Sequence, residues 1–292
     1  MTGAAFTAGL VQHTAGPDPE PNLRVVEGLV RRARDAGADF IMTAEASNFI
    51  ESGKRRRDKA KPEADDPFLA GMRELARELG AWLLLGSLVI DPAGEPGAEP
   101  GEGRLANRSF LIDAHGAIVA RYDKIHMFDI DLPGGESYRE SNAYRPGRAT
   151  AIAETPWGRL GLSVCYDVRF PYLYRALAQA GADFLSVPSV VTVPTGRAHW
   201  HVLLRARAIE NGAFVFAPAQ WGEHPVGRKS YGHSLIVDPW GEVLADGGEE
   251  VGFVTARIDP AKIAEARRAV PSLLHDRPFT QPALAARPLA AE

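Results

Sequence analysis

Apolar runs and helical patterns alternate along this chain almost from its first residues. Residues 5–11 (AFTAGLV) form a continuous apolar run that predicts a strand, and residues 22–36 place Leu23, Val26, Leu29, Val30 and Ala33 at helical spacing. Gly37 supplies a helix stop, and residues 39–44 (DFIMTA) predict a strand that delivers Glu45 at its end. Asp66-Pro67 has the form of a helix start, a capping carboxylate followed by a proline at the first helical position, with the helix running to about Gly80. The run WLLLGSLVI (82–90) predicts a fully buried strand. Residues 105–112 and 117–122 predict a hairpin around Asp113-Ala114-His115-Gly116, with Lys124 just beyond it. Farther on, RLGLSV (159–164) is a strand ending at Cys165, and a helix is expected from near Pro171. The strand DFLSVPS, a helix at about 197–211, the strand AFVFAPAQ, the hairpin SLIVDPWGEVLAD and a helix at about 260–269 complete the pattern.

Between these elements, residues 91–104 (DPAGEPGAEPGEGR) read as an exposed loop rather than a domain linker, because the strands after it complete a sheet. The stretches RRARDAGADFIMTAE (31–45) and YRALAQAGADFLSVPS (174–189) share helix, AGADF and strand. They are read either as an internal repeat or as the common device of a glycine-ended helix before a strand. Two such halves around one core would make a single α/β domain over residues 1–292, with about 271–292 as a C-terminal tail.

The composition is that of an ordinary globular chain: 292 residues, 45% hydrophobic and 24% charged. A net charge of −4 argues against a broad nucleic-acid-binding face. One cysteine forms no internal disulfide, the N-terminus lacks the layout of a signal peptide, and no run approaches the ~20 apolar residues of a spanning helix. A cytoplasmic protein with neither nucleic-acid nor membrane partner is expected.

Glu45, Lys124 and Cys165 all emerge at strand ends, where α/β sheets usually bind ligands. Alone, each has an ordinary reading: a buried cysteine as a small hydrophobe, the charged pair as surface residues. Their surroundings sharpen this. GLSVCYDVRFPYLYRALAQAGAD (161–183) sets the thiol at a strand-to-helix turn, where backbone N–H groups favour a thiolate. YDKIHMFDIDLPGG (122–135) carries the lysine on a turn out of the sheet, and ESNAYRPG (140–147) brings a further carboxylate, Glu140.

These segments, with PTGRAHWHVLLRARAIENGAF (194–214) and SYGHSLIVDPWGEVLA (230–245), resemble the nitrilase superfamily of carbon–nitrogen hydrolases, and the resemblance runs from the first strand to the PSLLHDRPF tail. It implies a four-layer α-β-β-α sandwich and a Glu-Lys-Cys triad made of Glu45, Lys124 and Cys165. It implies no cofactor and no metal, a small-molecule amide as substrate, and a homodimer or larger even-numbered assembly paired through helices. In that chemistry Glu45 is the base, Lys124 holds the oxyanion with the backbone N–H of Tyr166, and Cys165 forms a thioester. Glu140 is either a second catalytic carboxylate or a loop residue that positions Lys124. Arg169 either grips a substrate carboxylate or pairs with Asp167 or another carboxylate. The stretch AQWGEHPVGRKSYGHSLIVDPWGEV is most similar to the branch acting on deaminated glutathione, followed by omega-amidases acting on 2-oxoglutaramate or succinamate, then N-carbamoyl amino-acid hydrolases. One departure stands out: Ala44 occupies the place where the family usually has proline. A function of another class, a catalytically silent interaction module, is disfavoured because nothing in a binding scaffold would retain all three triad residues.

Other signals are weaker. KRRRDK (54–59) reads as a solvated loop, or second as a border of the site that attracts an anion. His199-Trp200-His201 does not suit a metal, because an i,i+2 pair on a helix faces different sides. Gly101-Glu102-Gly103 lacks the third glycine of a dinucleotide motif, and Ser163 sits inside a strand without G-x-S-x-G around it.

Overall fold

The computed structural model describes residues 3–95, 103–132, 135–224 and 227–280. The first apolar run becomes β1 (Phe6–Gln12) and the helical pattern becomes α1 (Pro19–Asp35). That helix starts earlier than its apolar spacing predicts, since Pro19 needs no amide partner in a first turn. Then come β2 (Phe40–Met42), α2 (Gly53–Lys59) and α3 (Pro67–Leu79). The predicted start and stop of α3 are both present: the Asp66 carboxylate accepts the Leu69 N–H at 2.8 Å, and Gly80 closes the helix at φ +58°. Strands β3 (Trp82–Ile90), β4 (Ala106–Ile112) and β5 (Ile118–Asp123) complete the first half. The second half holds β8 (Ala151–Thr155), β9 (Gly158–Leu162), α4 (Pro171–Gln179), β10 (Phe184–Ser186), α5 (Val193–Asn211) and β11 (Phe214–Ala217). It ends with β14 (Leu235–Val237), β15 (Val243–Asp246), β16 (Gly252–Ile258) and α6 (Ala261–Ala269). Two small hairpins, β6–β7 (Asp129–Asp131, Ser137–Arg139) and β12–β13 (Trp221–Glu223, Lys229–Tyr231), were not legible in the pattern.

Two six-stranded sheets result, ordered β16-β1-β2-β3-β4-β5 and β15-β14-β11-β10-β9-β8. Each has three central parallel strands with antiparallel flanks, and the two orders correspond strand for strand. The AGADF echo is therefore a structural repeat. Gly37 and Gly181 both take positive φ, and Asp39 and Asp183 both accept a backbone N–H from the adjoining strand, from Thr7 and Arg159.

Side-chain alternation builds the layers. On β1–β3, Val11, Ile41, Leu83 and Leu85 face α1 and α3, which bring Val26, Leu29, Val30, Phe68 and Met72. The intervening Leu10, Phe40, Met42 and Leu84 meet Leu160, Phe184, Phe214 and Phe216 of the second sheet. The outer face of that sheet is covered by Leu173, Leu177, Trp200 and Leu204 of α4 and α5. Burial on both faces explains why these strands read as unbroken apolar runs. The expected α-β-β-α order is the one observed.

Residues 54–59 are not a loop but most of the helix α2, which is exposed except for half-buried Arg56 and Lys59. Part of the 91–104 loop, including Gly101 and Glu102, lies outside the described residues, as does the tail beyond residue 280. Within the described tail, the Asp276 carboxylate accepts from Arg175 and Gln179 on α4.

Candidate active site

Three chain segments, two leaving the first sheet and one leaving the second, converge on one cavity. Glu45 follows β2 and is 5% exposed; Lys124 follows β5 and is 2% exposed. Cys165 opens one turn of 3-10 helix after β9, at φ +51°. A non-glycine residue at positive φ is uncommon and costs conformational energy, so the surroundings must hold it. They do: the Cys165 N–H donates to the Pro188 carbonyl at 2.9 Å, and the Val164 N–H to the Asp167 carboxylate at 2.9 Å. Ala46, next to Glu45, is likewise at φ +51°.

The aim of Glu45 is fixed with Ala44, rather than a proline, before it. Its backbone carbonyl accepts from the Gln220 side chain at 2.8 Å, and its Oε2 from the Val190 N–H at 2.7 Å. The Ala46 N–H is held by Ser87 Oγ at 2.9 Å. Oε1 receives Asn107 Nδ2 at 2.8 Å and Lys124 Nζ at 3.0 Å. Lys124 also donates to both oxygens of Glu140, at 2.9 and 2.8 Å, and Glu140 takes the Phe128 N–H at 2.6 Å. One ammonium thus lies between two carboxylates. Burial disfavours that ammonium, but Glu140 and then Glu45 outweigh it and raise its pKa well above the usual lysine value. For Glu45, burial pushes upward, yet Lys124, Arg228 and hydrogen bonds from Cys165 and Asn107 together hold its carboxyl below the usual range. Cys165 as a residue is only partly buried, but burial is the largest push on its thiol, and Glu45 adds to it; Lys124 opposes, and the net pKa is raised to about 12. The resting arrangement is therefore a neutral thiol sharing the cavity with an ionised carboxylate and its paired ammonium.

Asp167 ties these parts together. Fully buried, it accepts from Tyr122 Oη at 2.7 Å and the His126 N–H at 3.0 Å, and lies 2.7 Å from His126 Nδ1, bracketing Lys124 in sequence. This leaves Arg169 without the Asp167 pairing that the sequence allowed. Its guanidinium instead lies 3.2 Å from His199 Nδ1 and over the Tyr166 ring.

The cavity has a volume of about 170 Å³ and is bounded by Glu45, Lys124, Glu140 and Cys165, with Arg56, Tyr138 and Arg228 among its other walls. Tyr166 and Arg169 do not line it. They line an adjoining apolar groove with His199 and Trp200, and the two spaces share Phe128, Cys165 and Val190. Sequence reading missed Asn107 and Arg228. A polar residue inside the apolar strand LANRSFLI was a signal for the first; Arg228 sits in a polar stretch that gave none. His199 and His201 part company as expected. His201 nevertheless joins His233 and Asp246, whose ligand-type atoms lie within 4.8 Å of one another, and hydrogen bonds from the two imidazoles to Asp246 account for that grouping.

Residues 7–268 match the family model described as carbon-nitrogen hydrolase. The chain belongs to the carbon–nitrogen hydrolase family. It is 38% identical over 269 residues to the deaminated glutathione amidase of Yersinia enterocolitica, covering 92% of each chain. The crystal structure of the Caenorhabditis elegans NitFhit protein is 38% identical with a TM-score of 0.85, over 95% of this chain; this chain spans 66% of that one. A mutant of the amidase from Nesterenkonia sp. AN1 is 30% identical, with a TM-score of 0.75 over 92% of this chain and 97% of that one. That structure shows covalent addition of the acetamide moiety of fluoroacetamide at its active-site cysteine. This carbon–nitrogen hydrolase is accordingly an amidase-type enzyme of the nitrilase superfamily, acting on C–N bonds other than peptide bonds. Among its described residues no helix is long and apolar enough to cross a membrane.

Proposed function

We propose that the chain hydrolyses the amide of deaminated glutathione through a thioester on Cys165. The observation that carries the chemistry is the Lys124 ammonium held between Glu45 and Glu140, in the cavity that Cys165 also lines. Glu45 takes the thiol proton as sulfur attacks the amide carbon, so no free thiolate has to form in a buried site. The electron pair of the C=O bond moves to oxygen, where Lys124 and the Tyr166 N–H at the start of the 3-10 turn receive it. Collapse of the tetrahedral intermediate breaks the C–N bond, and Glu45 passes its proton to the leaving amine. Water then attacks the thioester while Glu45 takes a proton from it; the sulfur leaves, regains that proton, and the acid departs. Glu140 acts on this reading as a positioning residue for Lys124.

Relatives named deaminated glutathione amidase at 38–41% identity support the substrate. The meeting of cavity and groove at Cys165 supports it too, since acyl and leaving groups need separate places. One catalytic domain over the chain is supported by the side-chain layer shared between both sheets. Pairing into a homodimer or larger even-numbered assembly is supported by exposed Tyr172, Val202 and Ile209 on α4 and α5, with Leu274 and Phe279 on the tail; light scattering tests it. For the reaction, intact-mass spectrometry with deaminated glutathione should show an acyl adduct that is lost in Cys165→Ala, together with release of cysteinylglycine. Absence of any adduct refutes the thioester route, and equal or faster turnover of 2-oxoglutaramate refutes the substrate.

A further inference from the structure

The cavity is lined by the acids Glu45, Glu51 and Glu140 and by the cations Arg56, Lys124, Arg139 and Arg228. Most of these charges are already matched. Lys124 bridges Glu45 and Glu140. Glu51 accepts the Ser52 N–H at 2.9 Å and faces Lys59 at 3.6 Å. Arg139 forks both oxygens of Asp131 at 2.9 Å. Two guanidinium groups remain. Arg56 donates its Nε–H to the Glu51 backbone carbonyl at 2.7 Å and lies over the Tyr144 ring. Arg228 donates from Nη2 to the Val190 carbonyl at 2.6 Å and lies over the Tyr138 ring, while its Nε is buried with no hydrogen-bond partner. Neither has a carboxylate partner among the described residues.

We propose that Arg228, together with Arg56, is the binding site for a carboxylate carried by the substrate, inside the same cavity as Cys165; this rests on the amidase reading of that cavity. Arg228 lines the cavity, gives one terminal N–H to a peptide carbonyl and has no carboxylate partner among the described residues, which leaves donor capacity for an anion there. A planar fork of donors matches a carboxylate in a way that a lysine does not. The Tyr138 ring lies beside that fork, with its centroid 5.3 Å from the guanidinium carbon. The Val190 peptide fixes its offset from the chemistry, since the Val190 carbonyl accepts from Arg228 while the Val190 N–H donates to Glu45 Oε2 at 2.7 Å. An anion bound there is thereby registered against the base. A cavity of about 170 Å³ suits an acyl group of a few carbons, such as that of an α-keto or dicarboxylic monoamide. Arg169, for which the sequence left open substrate-carboxylate recognition or an internal ion pair, lies in the adjoining groove. Inside the cavity that role falls to Arg228.

The test is calorimetric binding of 2-oxoglutarate to the full chain carrying Cys165→Ala, with its uncharged dimethyl ester as the control. The acid is expected to bind at least tenfold more tightly than the ester. Arg228→Gln should weaken binding about a hundredfold by removing the charge-assisted bidentate pair. Because Arg228→Gln also loosens the Val190 peptide, Arg228→Lys is measured beside it. It keeps the charge and stem but loses the fork, and should weaken binding about tenfold. Equal affinity in Arg228→Lys and the parent, or no preference of the parent for acid over ester, overturns the proposal. Turnover by the unsubstituted enzyme separates the two readings. Arg228-dependent binding without turnover of any amide leaves the anion site standing and removes the amidase reading, whereas turnover with Arg228-independent binding does the reverse.

Discussion

Replacing Glu140 by glutamine asks what the second carboxylate does. In the native site Glu140 accepts two hydrogen bonds from Lys124 and one from the Phe128 N–H, and Asn107 Nδ2 lies at 3.4 Å from its Oε1. In Glu140→Gln the side-chain carbonyl would keep an acceptor for one of these donors. The charge would be lost, and the new amide would offer N–H groups to an ammonium that is only 2% exposed. Hydrogen bonds to charged groups contribute about 1.5–3 kcal/mol each, and breaking a buried ion pair costs about 3–5 kcal/mol. Since Glu45 still neutralises Lys124, the lower part of that range applies, about 2–4 kcal/mol. Part of this appears as stability. The rest appears as reactivity, because Lys124 is drawn toward Glu45 and away from the oxyanion, and the base becomes weaker. With about half of the total, roughly 1–2 kcal/mol, in reactivity and about 1.4 kcal/mol per factor of ten, kcat should fall roughly 5- to 30-fold. Rapid-quench measurement of the acyl-enzyme against product release separates the two roles open to this carboxylate. A residue that only positions Lys124 slows acylation and deacylation alike, so no thioester accumulates; a direct base in the second step leaves a trapped acyl-enzyme. A kcat within twofold of the parent in Glu140→Gln refutes the reasoning about Lys124.

The same geometry sets further outcomes. The kcat/KM profile should be flat through neutral pH, because Glu45 titrates below its ordinary value of 4.5 and the Cys165 thiol is raised to about 12; a limb near the free-thiol value of ~8.5 would refute the paired resting state. Since the folded pKa of Glu45 is depressed, its ionisation stabilises the fold above about pH 4.5, and denaturant titrations should show that contribution lost as pH falls through the lower folded value. Asp167→Asn removes acceptors for Tyr122, the Val164 N–H and His126 in a fully buried site, and should lower stability by about 2–4 kcal/mol with a parallel loss of kcat; a thermal midpoint within about 2 °C of the parent would count against the clamp. Gly86→Ala would place its Cβ 2.1 Å from the Thr43 carbonyl oxygen and 2.4 Å from Pro188 Cβ, forcing apart the segments that hold Glu45 and Cys165. Near-complete loss of turnover is expected even in a soluble product, and parental kcat would show that the two segments can separate freely.

The amino-acid sequence by itself determined most of the elements and pointed to the three residues that meet in the cavity. Periodicity located α1, α3, α5 and the buried strands, because burial on two faces leaves long apolar runs and helices leave a spaced stripe. The cap at Asp66, the stop at Gly80 and the AGADF repeat are local devices, so local sequence was enough to read them. Cys165, Lys124 and Glu45 were legible because each ends a strand in a distinctive motif. What tertiary structure alone decided is pairwise and long-range. Ala46 and Cys165 hold positive φ only because Ser87 and Pro188, distant in sequence, supply their partners. The choice of Asp167 as the clamp for His126 and Tyr122, rather than as a partner for Arg169, depends on which donors burial brings within reach. Residues 54–59 gave no apolar stripe, so their helix was invisible, and Arg56 faces the cavity only because α2 turns it there. Arg228 has no carboxylate partner among the described residues because neighbouring acids already have partners, and that is a property of the whole charge arrangement rather than of any segment.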